Sequence, residues 1–207
     1  MKIINPKIVI LEERTLDGSD EEDVYNVLFN NTKRDINVKS TSFNSCQFDS
    51  IDFNSVKFDK VSFVSVVFNN CDLSNKVFDE EFISKVIFNN CKISGASFID
   101  THFEDVQFIN CKVNYSNFSG AKMKKVVISD SDFSDTTFIE TLFNKIDLNE
   151  VNFTRAEFFK SSLKDIDLSN SKIEEVSFDL FSVKGMVIDE FQLVYLAGLL
   201  EVRLKEN

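Results

Sequence analysis

Apolar residues recur at every fifth position from Phe43 to Phe178 without an exception. The residue two places before each of them is small or β-branched in most repeats, as at Cys46, Val61 and Ala96, and the other three are mostly polar. A period of five fits neither an α-helix nor an extended strand. It predicts a short extended piece with two inward side chains, followed by a corner, repeated as a solenoid.

A second period of twenty is superimposed on the first. Cys71, Cys91 and Cys111 recur at this interval, and so does the all-Phe column that begins at Phe58 and ends at Phe178. Four five-residue units therefore complete one coil, and the regular stretch holds about seven coils. Buried side chains of one column then stack on each other along the axis, because equivalent residues of successive coils lie about 4.8 Å apart.

The unit resembles the A(D/N)LXX motif of the pentapeptide-repeat family in its Phe-centred form, over residues 36–183. The resemblance implies an all-β fold, a right-handed quadrilateral β-helix, with a short C-terminal α-helix. Residues 1–35 are expected to form an N-terminal cap, in which Lys7–Leu11 is a candidate strand and residues 24–31 fit either helix or strand. Residues 184–207 are expected to form a helix and a strand.

One stretch interrupts the pattern without changing its phase. Lys76 and Glu81 occupy positions that are inward in the other repeats. Buried unpaired charges are prohibitive. We therefore expect a local bulge, loop or short helical turn near residues 74–83 that brings both side chains to water.

The C-terminal segment has a helix-start signal, because Gln192 follows Asp189 by three residues. A helix is predicted from there to residue 200, followed by a strand-like Glu201–Leu204. The segment resembles the C-terminal end of Qnr-type members of the family, which implies a homodimer joined end to end. A monomeric cap folded onto the last coil is the alternative. The expected dimer residues are Phe191, Val194, Tyr195, Leu196, Leu199 and Leu200.

Charge is unevenly distributed around the rod. The net charge of −11 disfavours direct binding to nucleic acid or to an anionic membrane. The face centred on Phe43 and Phe63 has more bases than acids, whereas the next face, centred on Phe48 and Phe68, has acids and no base. These acids are the candidate partner-binding residues: Asp49, Asp130, Asp147, Glu150 and Asp167.

Residues suited to catalysis or metal binding do not converge. The cysteines fall at inward positions, where they act as small hydrophobes, and His102 is the only histidine and points outward. The Asn residues at 70, 90 and 110 are expected to form a ladder at one corner. We therefore predict no enzyme activity, no cofactor and no metal. The N-terminal apolar run is too short for an export signal, which favours the cytoplasm and free thiols.

Two functions remain at this stage. The resemblance to Qnr-type proteins implies a DNA-mimicking binder of a type II topoisomerase, gyrase or topoisomerase IV, that protects against quinolones. The alternative is a general protein–protein interaction scaffold with no topoisomerase role, whose contacts lie at residues 74–83 or in the N-terminal cap. Fold by itself does not decide between them.

Overall fold

The computed structural model of the protein describes residues 1–10, 12–18 and 22–198. It is a right-handed quadrilateral β-helix of about eight turns with one short C-terminal helix, which confirms the predicted fold class. All strand pairing is parallel, and the long strands β8 to β12 follow one another in the main sheet. Partners in this stack are twenty residues apart, as in the pairing of Phe63 with Ile83.

The strands are short and are separated by corners. They are β1 (Glu12–Leu16), β2 (Asp23–Tyr25), β3 (Val27–Thr32), β4 (Ile36–Lys39), β5 (Ser42–Asn44), β6 (Gln47–Asp49), β7 (Val56–Asp59), β8 (Ser62–Asn69), β9 (Phe82–Asn89), β10 (His102–Ile109), β11 (Lys122–Ser129), β12 (Leu142–Asn149), β13 (Glu157–Phe158) and β14 (Ser177–Phe178), and the helix is α1 (Leu193–Ala197).

Most corners are made by a residue in the left-handed conformation, two places after the central apolar residue. Asn70 has φ 54°, Asp130 has φ 51° and Gly120 has φ 70°. This conformation costs least for Gly and next least for Asn and Asp. The requirement explains why the corner position is rich in these residues, and it also holds Asn110 beside Asn90, whose Oδ1 accepts a 2.6 Å hydrogen bond from Asn110 Nδ2.

Phenyl rings fill the interior in stacked columns. Phe48, Phe68, Phe88 and Phe108 follow one another with ring centroids 4.9, 5.1 and 5.0 Å apart and nearly parallel planes. Offset stacking of this kind adds to the stability gained from area burial. The columns form one continuous core along the rod.

The inward position two residues before the central apolar residue, called the smaller inward position, holds small side chains that share a hydrogen-bonding pattern. The Cys111 thiol donates to the carbonyl of Phe88 at 3.3 Å, and the Thr141 hydroxyl donates to the carbonyl of Phe118 at 2.8 Å, each bond reaching back 23 residues. Cys, Ser and Thr all fit this position, because each is small and most of them donate to a carbonyl of the preceding coil; the Ser171 hydroxyl, which is buried without a hydrogen-bond partner, is an exception. All four cysteines are buried and free, as the sequence predicts.

The solenoid starts earlier than the regular repeat does. β2 pairs with β5 and β3 pairs with β6, which adds coil structure before residue 36 and makes the estimate of seven coils too low. Phe29 pairs with Phe48 at an offset of nineteen residues, whereas Ile36 pairs with Val56 at twenty. The missing residue breaks the five-residue phase, which hides this coil in the sequence. Residues 7–10 form no strand, and Leu11 lies outside the described residues.

The prediction of a bulge, loop or short helical turn near residues 74–83 is wrong. The coil continues there in regular turns, and Phe78 N–H donates to the carbonyl of Ser97 at 2.8 Å. Lys76 Nζ donates to the carbonyls of Val56 and Asn54, at 2.8 and 3.3 Å. Lys76 is half-buried and reaches back to the preceding coil without any bulge in the chain.

Glu81, like Lys76, bonds to the backbone of the preceding coil, and the two side chains together form a polar seam between coils. Its Oε1 accepts a 3.1 Å hydrogen bond from Val61 N–H. Strand β7 pairs with β4 of the preceding coil. Among the described residues, no strand pairing joins β7 to residues 76–79 of the following coil. Long polar side chains therefore replace backbone hydrogen bonds at a place where the turn geometry of successive coils differs.

The C-terminal end continues the coil and then closes it. Leu168 N–H donates to the carbonyl of Val187 at 2.8 Å, beyond the expected boundary at residue 183. Asp189 and Gln192 form the predicted reciprocal pair: Gln192 N–H donates to Asp189 Oδ1 at 2.9 Å, and Asp189 N–H donates to Gln192 Oε1 at 3.0 Å. The helix itself begins later than predicted, at Leu193, with Gln192 and not Asp189 as its N-cap residue. Gln192 also donates to the carbonyls of Leu168 and Ser171, which caps the last coil. The predicted strand Glu201–Leu204 lies outside the described residues.

Candidate protein-interaction surface

The predicted anionic residues are not spread evenly along their face. Asp130 and Glu150 are neighbours in one corner column, with φ values of 51° and 52°. Asp147 and Asp167 occupy an adjacent outward column: Asp147 lies in the same coil as Glu150, and Asp167 lies in the next coil. Asp49 lies about four coils away from Asp130, or roughly 19 Å along the axis. The structure thus brings four of the five acids together in the C-terminal half and leaves Asp49 apart.

A surface groove of about 490 Å³ marks the centre of this acidic cluster. It is lined by Asp130, Asp132 and Glu150 together with Ser131, Val151, Asn152, Asn170 and Lys172. Sequence reasoning missed Asp132 because it belongs to the next face, and only its place two residues after a corner residue signals that it turns into the same groove. We call Asp130, Asp132 and Glu150 the acidic corner.

Local hydrogen bonds hold two of these carboxylates, Asp132 and Asp167, in place. Asp132 Oδ1 accepts hydrogen bonds from Asn152 Nδ2 at 2.9 Å and from Ser134 N–H at 3.1 Å. Asp167 Oδ1 accepts one from Ser169 N–H at 2.9 Å. Hydrogen bonds from the Ser169 side chain and backbone lower the pKa of Asp167. Hydrogen bonds to the ionised form stabilise negative charge on the rod.

The N-terminal segment covers part of the predicted anionic face. Asn5 Oδ1 accepts a 2.8 Å hydrogen bond from Gln107 Nε2 on β10, and the Met1 amine lies 4.0 Å from Asp147 Oδ2 on β12. Residues 1–5 therefore pass over β11. The half-buried side chains of Ile3, Pro6 and Ile8 alternate with more exposed neighbours along the segment. We call residues 1–10 the strap.

A buried acid anchors the strap to the rod. Asp105 is 2% exposed, although it stands at a corner position. Its Oδ1 accepts a 3.0 Å hydrogen bond from Ile4 N–H and lies 3.4 Å from Lys125 Nζ. The five-residue pattern places Asp105 outward and gives no signal of this burial, because the residues that cover it are about a hundred positions away.

Apolar side chains are exposed at the C-terminal end. Phe191 is 79% exposed, Val194 48% and Tyr195 41%. Leu196 is half-buried against the core, so one predicted dimer residue faces its own rod. Leu199 and Leu200 lie outside the described residues. The dimer itself stays a prediction.

Residues with catalytic or metal-binding chemistry are dispersed. His102 is exposed on β10, as the repeat predicts. Burial raises the pKa of Cys46, and the neighbouring thiol of Cys91 together with burial raises that of Cys71, which keeps these thiols protonated. Within the described ranges, His, Cys, Asp and Glu form no group that is arranged to hold a metal ion. No helix of the described part has the length and hydropathy needed to cross a bilayer.

The fold is a parallel β-solenoid with an apolar interior, and its charged and polar groups lie on the outer surface. Two family models match the sequence: one for a pentapeptide repeat region at residues 61–134 and one for pentapeptide repeats at residues 131–170. Together they span more than half of the chain. The chain belongs to the pentapeptide-repeat family.

Several solved structures are similar to this chain at low sequence identity. Full-length QnrB1, a plasmid-mediated fluoroquinolone resistance protein, is 18% identical with a TM-score of 0.42, over 92% of this chain and 99% of QnrB1. HetL of the cyanobacterium Nostoc, involved in heterocyst differentiation regulation, is 11% identical with a TM-score of 0.41, over 88% and 90% of the two chains. A thylakoid-lumen pentapeptide repeat protein of Arabidopsis thaliana is 19% identical with a TM-score of 0.32, over 62% and 72%. No curated protein sequence matches.

Proposed function

We propose that this protein is a non-enzymatic binder of a type II topoisomerase, gyrase or topoisomerase IV, and that its acidic corner enters the DNA-binding surface of that enzyme. The observation that supports this most directly is the convergence of Asp130, Asp132 and Glu150 on one groove of a rigid rod. Such a rod would compete with duplex DNA and so relieve quinolone poisoning.

The charge spacing limits the extent of the mimicry. B-form DNA carries one negative charge per about 1.7 Å of axis. A single column of the solenoid supplies at most one charge per coil, or one per about 4.8 Å. The adjoining column with Asp147 and Asp167 raises the local density in the C-terminal half. The proposed contact is therefore confined to this half, where the acids cluster and the strap ends.

A homodimer is part of the proposal. Phe191, Val194 and Tyr195 expose apolar area at one end of the rod, and burying it against a second copy is favourable. Two rods joined at this end would double the length of the acidic surface. A cytoplasmic location also fits, because buried free thiols suit a reducing compartment.

The test is a gyrase supercoiling assay with and without ciprofloxacin, with increasing protein at two salt concentrations. We expect inhibition or drug protection that weakens at the higher salt, because attraction between charged surfaces is screened. A triple variant, Asp130→Asn, Asp132→Asn and Glu150→Gln, should lose most of the effect.

A charge-matched control removes three acids from other faces: Asp52→Asn, Asp59→Asn and Glu80→Gln. It should behave like the unmodified protein. Equal loss in both triple variants would mean that only net charge matters and would refute a specific acidic corner. An absence of any effect at large excess would reject the topoisomerase partner.

The second candidate is a general interaction scaffold. The contact site expected at residues 74–83 loses support, because no loop projects there. Outward apolar side chains at Phe82 and Leu142, 46% and 59% exposed, favour a scaffold role on a different face.

A further inference from the structure

Four outward side chains form a column across the centre of the main sheet. Phe82, His102, Lys122 and Leu142 stand at equivalent positions of β9, β10, β11 and β12 and are directly paired in register. The equivalent residue on β8 is Ser62, so the fold does not require apolar residues here. Phe82 and Leu142 nevertheless expose 46% and 59% of their surface.

The column borders a groove of about 290 Å³. The buried Phe103 and Met123 lie at its base, and the second outward column of Glu104, Lys124 and Asn144 forms the opposite wall. The groove has apolar surface at both ends and polar groups between them, and ligand sites commonly combine an apolar lining with a few polar groups that fix orientation.

The groove lies on the basic face of an acidic protein. Lys124 is paired with Glu104 at 2.6 Å, whereas among the described residues Lys122 forms no ion pair. Lys145 and Lys164 are exposed toward the C-terminal end of the same face. A cation between two apolar contacts selects for an acidic group between two apolar groups.

The spacing of the column fits an extended peptide that runs along the rod axis. Phe82 and Leu142 are three strand steps apart, or about 14 Å, with Lys122 and His102 between them. In an extended chain, side chains i and i+4 point the same way about 13 Å apart, and side chain i+2 stands midway on the same side. Apolar side chains at i and i+4 would therefore reach Phe82 and Leu142, and an acid at i+2 would reach Lys122.

We propose that this groove is a docking site for an extended acidic peptide of a partner protein, with the pattern apolar-x-acid-x-apolar. The site is on a different face from the acidic corner and does not depend on the topoisomerase proposal. It makes the rod a two-sided adaptor, with an anionic surface and a separate peptide groove.

The test is fluorescence anisotropy with a labelled synthetic peptide, Gly-Ser-Phe-Ser-Asp-Ser-Leu-Ser-Gly. We expect saturable binding that is at least about tenfold weaker for Phe82→Ser and for Lys122→Glu. Phe82→Ser should fold normally, since Ser62 occupies the same column. Val77→Ser, which removes a 58% exposed apolar side chain from another face, is the matched control and should bind like the unmodified protein.

A charge-swapped peptide with Lys in place of Asp makes the test specific. It should fail to bind the unmodified protein and should bind Lys122→Glu. Equal binding of both peptides, equal loss in Val77→Ser and Phe82→Ser, or no saturation at millimolar peptide would overturn the proposal. So would a dimer in sedimentation that dissociates in Phe82→Ser, because the groove would then be occupied by a second copy.

Discussion

The backbone N–H of Ile4 donates a 3.0 Å hydrogen bond to Oδ1 of Asp105, a residue that lies 101 positions further along the chain. This bond fixes the strap to the middle of the rod, and Lys125 balances the charge of the buried carboxylate. Loss of a hydrogen bond to a charged, buried acceptor costs about 1.5–3 kcal/mol. The strap is therefore a folded part of the surface next to the acidic corner.

We expect Asp105→Gly to release the strap. Glycine keeps the left-handed corner but removes the acceptor of the Ile4 hydrogen bond. Hydrogen exchange of residues 2–10 should become faster, with little change in β10 and β11. Asp100→Gly makes the same backbone change at a corner outside the strap contacts and is the control. Unchanged exchange in Asp105→Gly would show that Asp105 does not anchor the strap.

Glu81 and Lys76 should make separable contributions to stability. Lys76→Met leaves the carbonyls of Val56 and Asn54 without their side-chain donor, and we expect a loss of about 1 kcal/mol in urea unfolding. Glu81→Gln keeps an acceptor for Val61 N–H and should change stability by less than about 0.5 kcal/mol at neutral pH. Similar losses in both variants would contradict this account.

The same seam predicts a pH dependence. Burial raises the pKa of Glu81, so the folded protein holds the Glu81 proton more tightly than the unfolded chain does. This contribution to stability grows as pH falls toward and through the raised pKa and is absent well above it. Unfolding curves from pH 7 to pH 4 should therefore show the unmodified protein gaining stability relative to Glu81→Gln. A constant difference across this range would show that Glu81 titrates normally.

The cysteines should be inert in the native state. Only thiolates react quickly with disulfide reagents, and all four thiols are buried away from a reagent in solution. The neighbouring thiol of Cys91 together with burial also raises the pKa of Cys71. Labelling should proceed at the rate of unfolding, whereas an exposed thiol introduced by Ser162→Cys should react at once. Fast reaction of any native thiol besides the introduced one would show that the buried cysteine column opens in the folded protein.

The smaller inward position should accept Ser but not Leu. Ser161 already donates from this position to the carbonyl of Phe138, at 2.5 Å. Cys91→Ser should thus cost less than about 1.5 kcal/mol, because its hydroxyl can replace the Cys91 bond to the carbonyl of Phe68. Cys91→Leu adds volume to a packed core and should cost about 1–3 kcal/mol. Thermal unfolding of the two variants gives the comparison, and equal costs would contradict this hydrogen-bonding pattern.

Gly120 should be needed because of its neighbour in the preceding coil, Asp100. A Cβ at Gly120 would collide with Oδ1 of Asp100, and the residue has φ 70°. We expect Gly120→Ala to lose about 1–3 kcal/mol. Adding Asp100→Gly should restore part of this loss, since it removes the colliding atom. Thermal unfolding of the two single variants and the double variant checks the coupling, and additive effects would exclude it.

The sequence determined the solenoid because every repeat makes the same local choice. The five-residue period sets two inward residues and a left-handed corner, and the twenty-residue period of Phe and Cys columns sets the coil size. Each requirement involves only residues of the same coil or of an adjacent coil, so the pattern is visible in a single sequence. They also predicted the inward cysteines and the outward His102, whereas the pairing of Asp189 with Gln192 was predicted from a separate helix-start signal.

Only the tertiary structure decided what breaks the repeat. A one-residue shortening between Phe29 and Ile36 hides the first coil, and Lys76 and Glu81 are satisfied by backbone atoms about twenty residues earlier. The contact between the strap and Asp105 joins parts of the chain a hundred residues apart. Charge on a face can be counted from sequence, but whether that face is free depends on such long-range contacts, which no local period encodes.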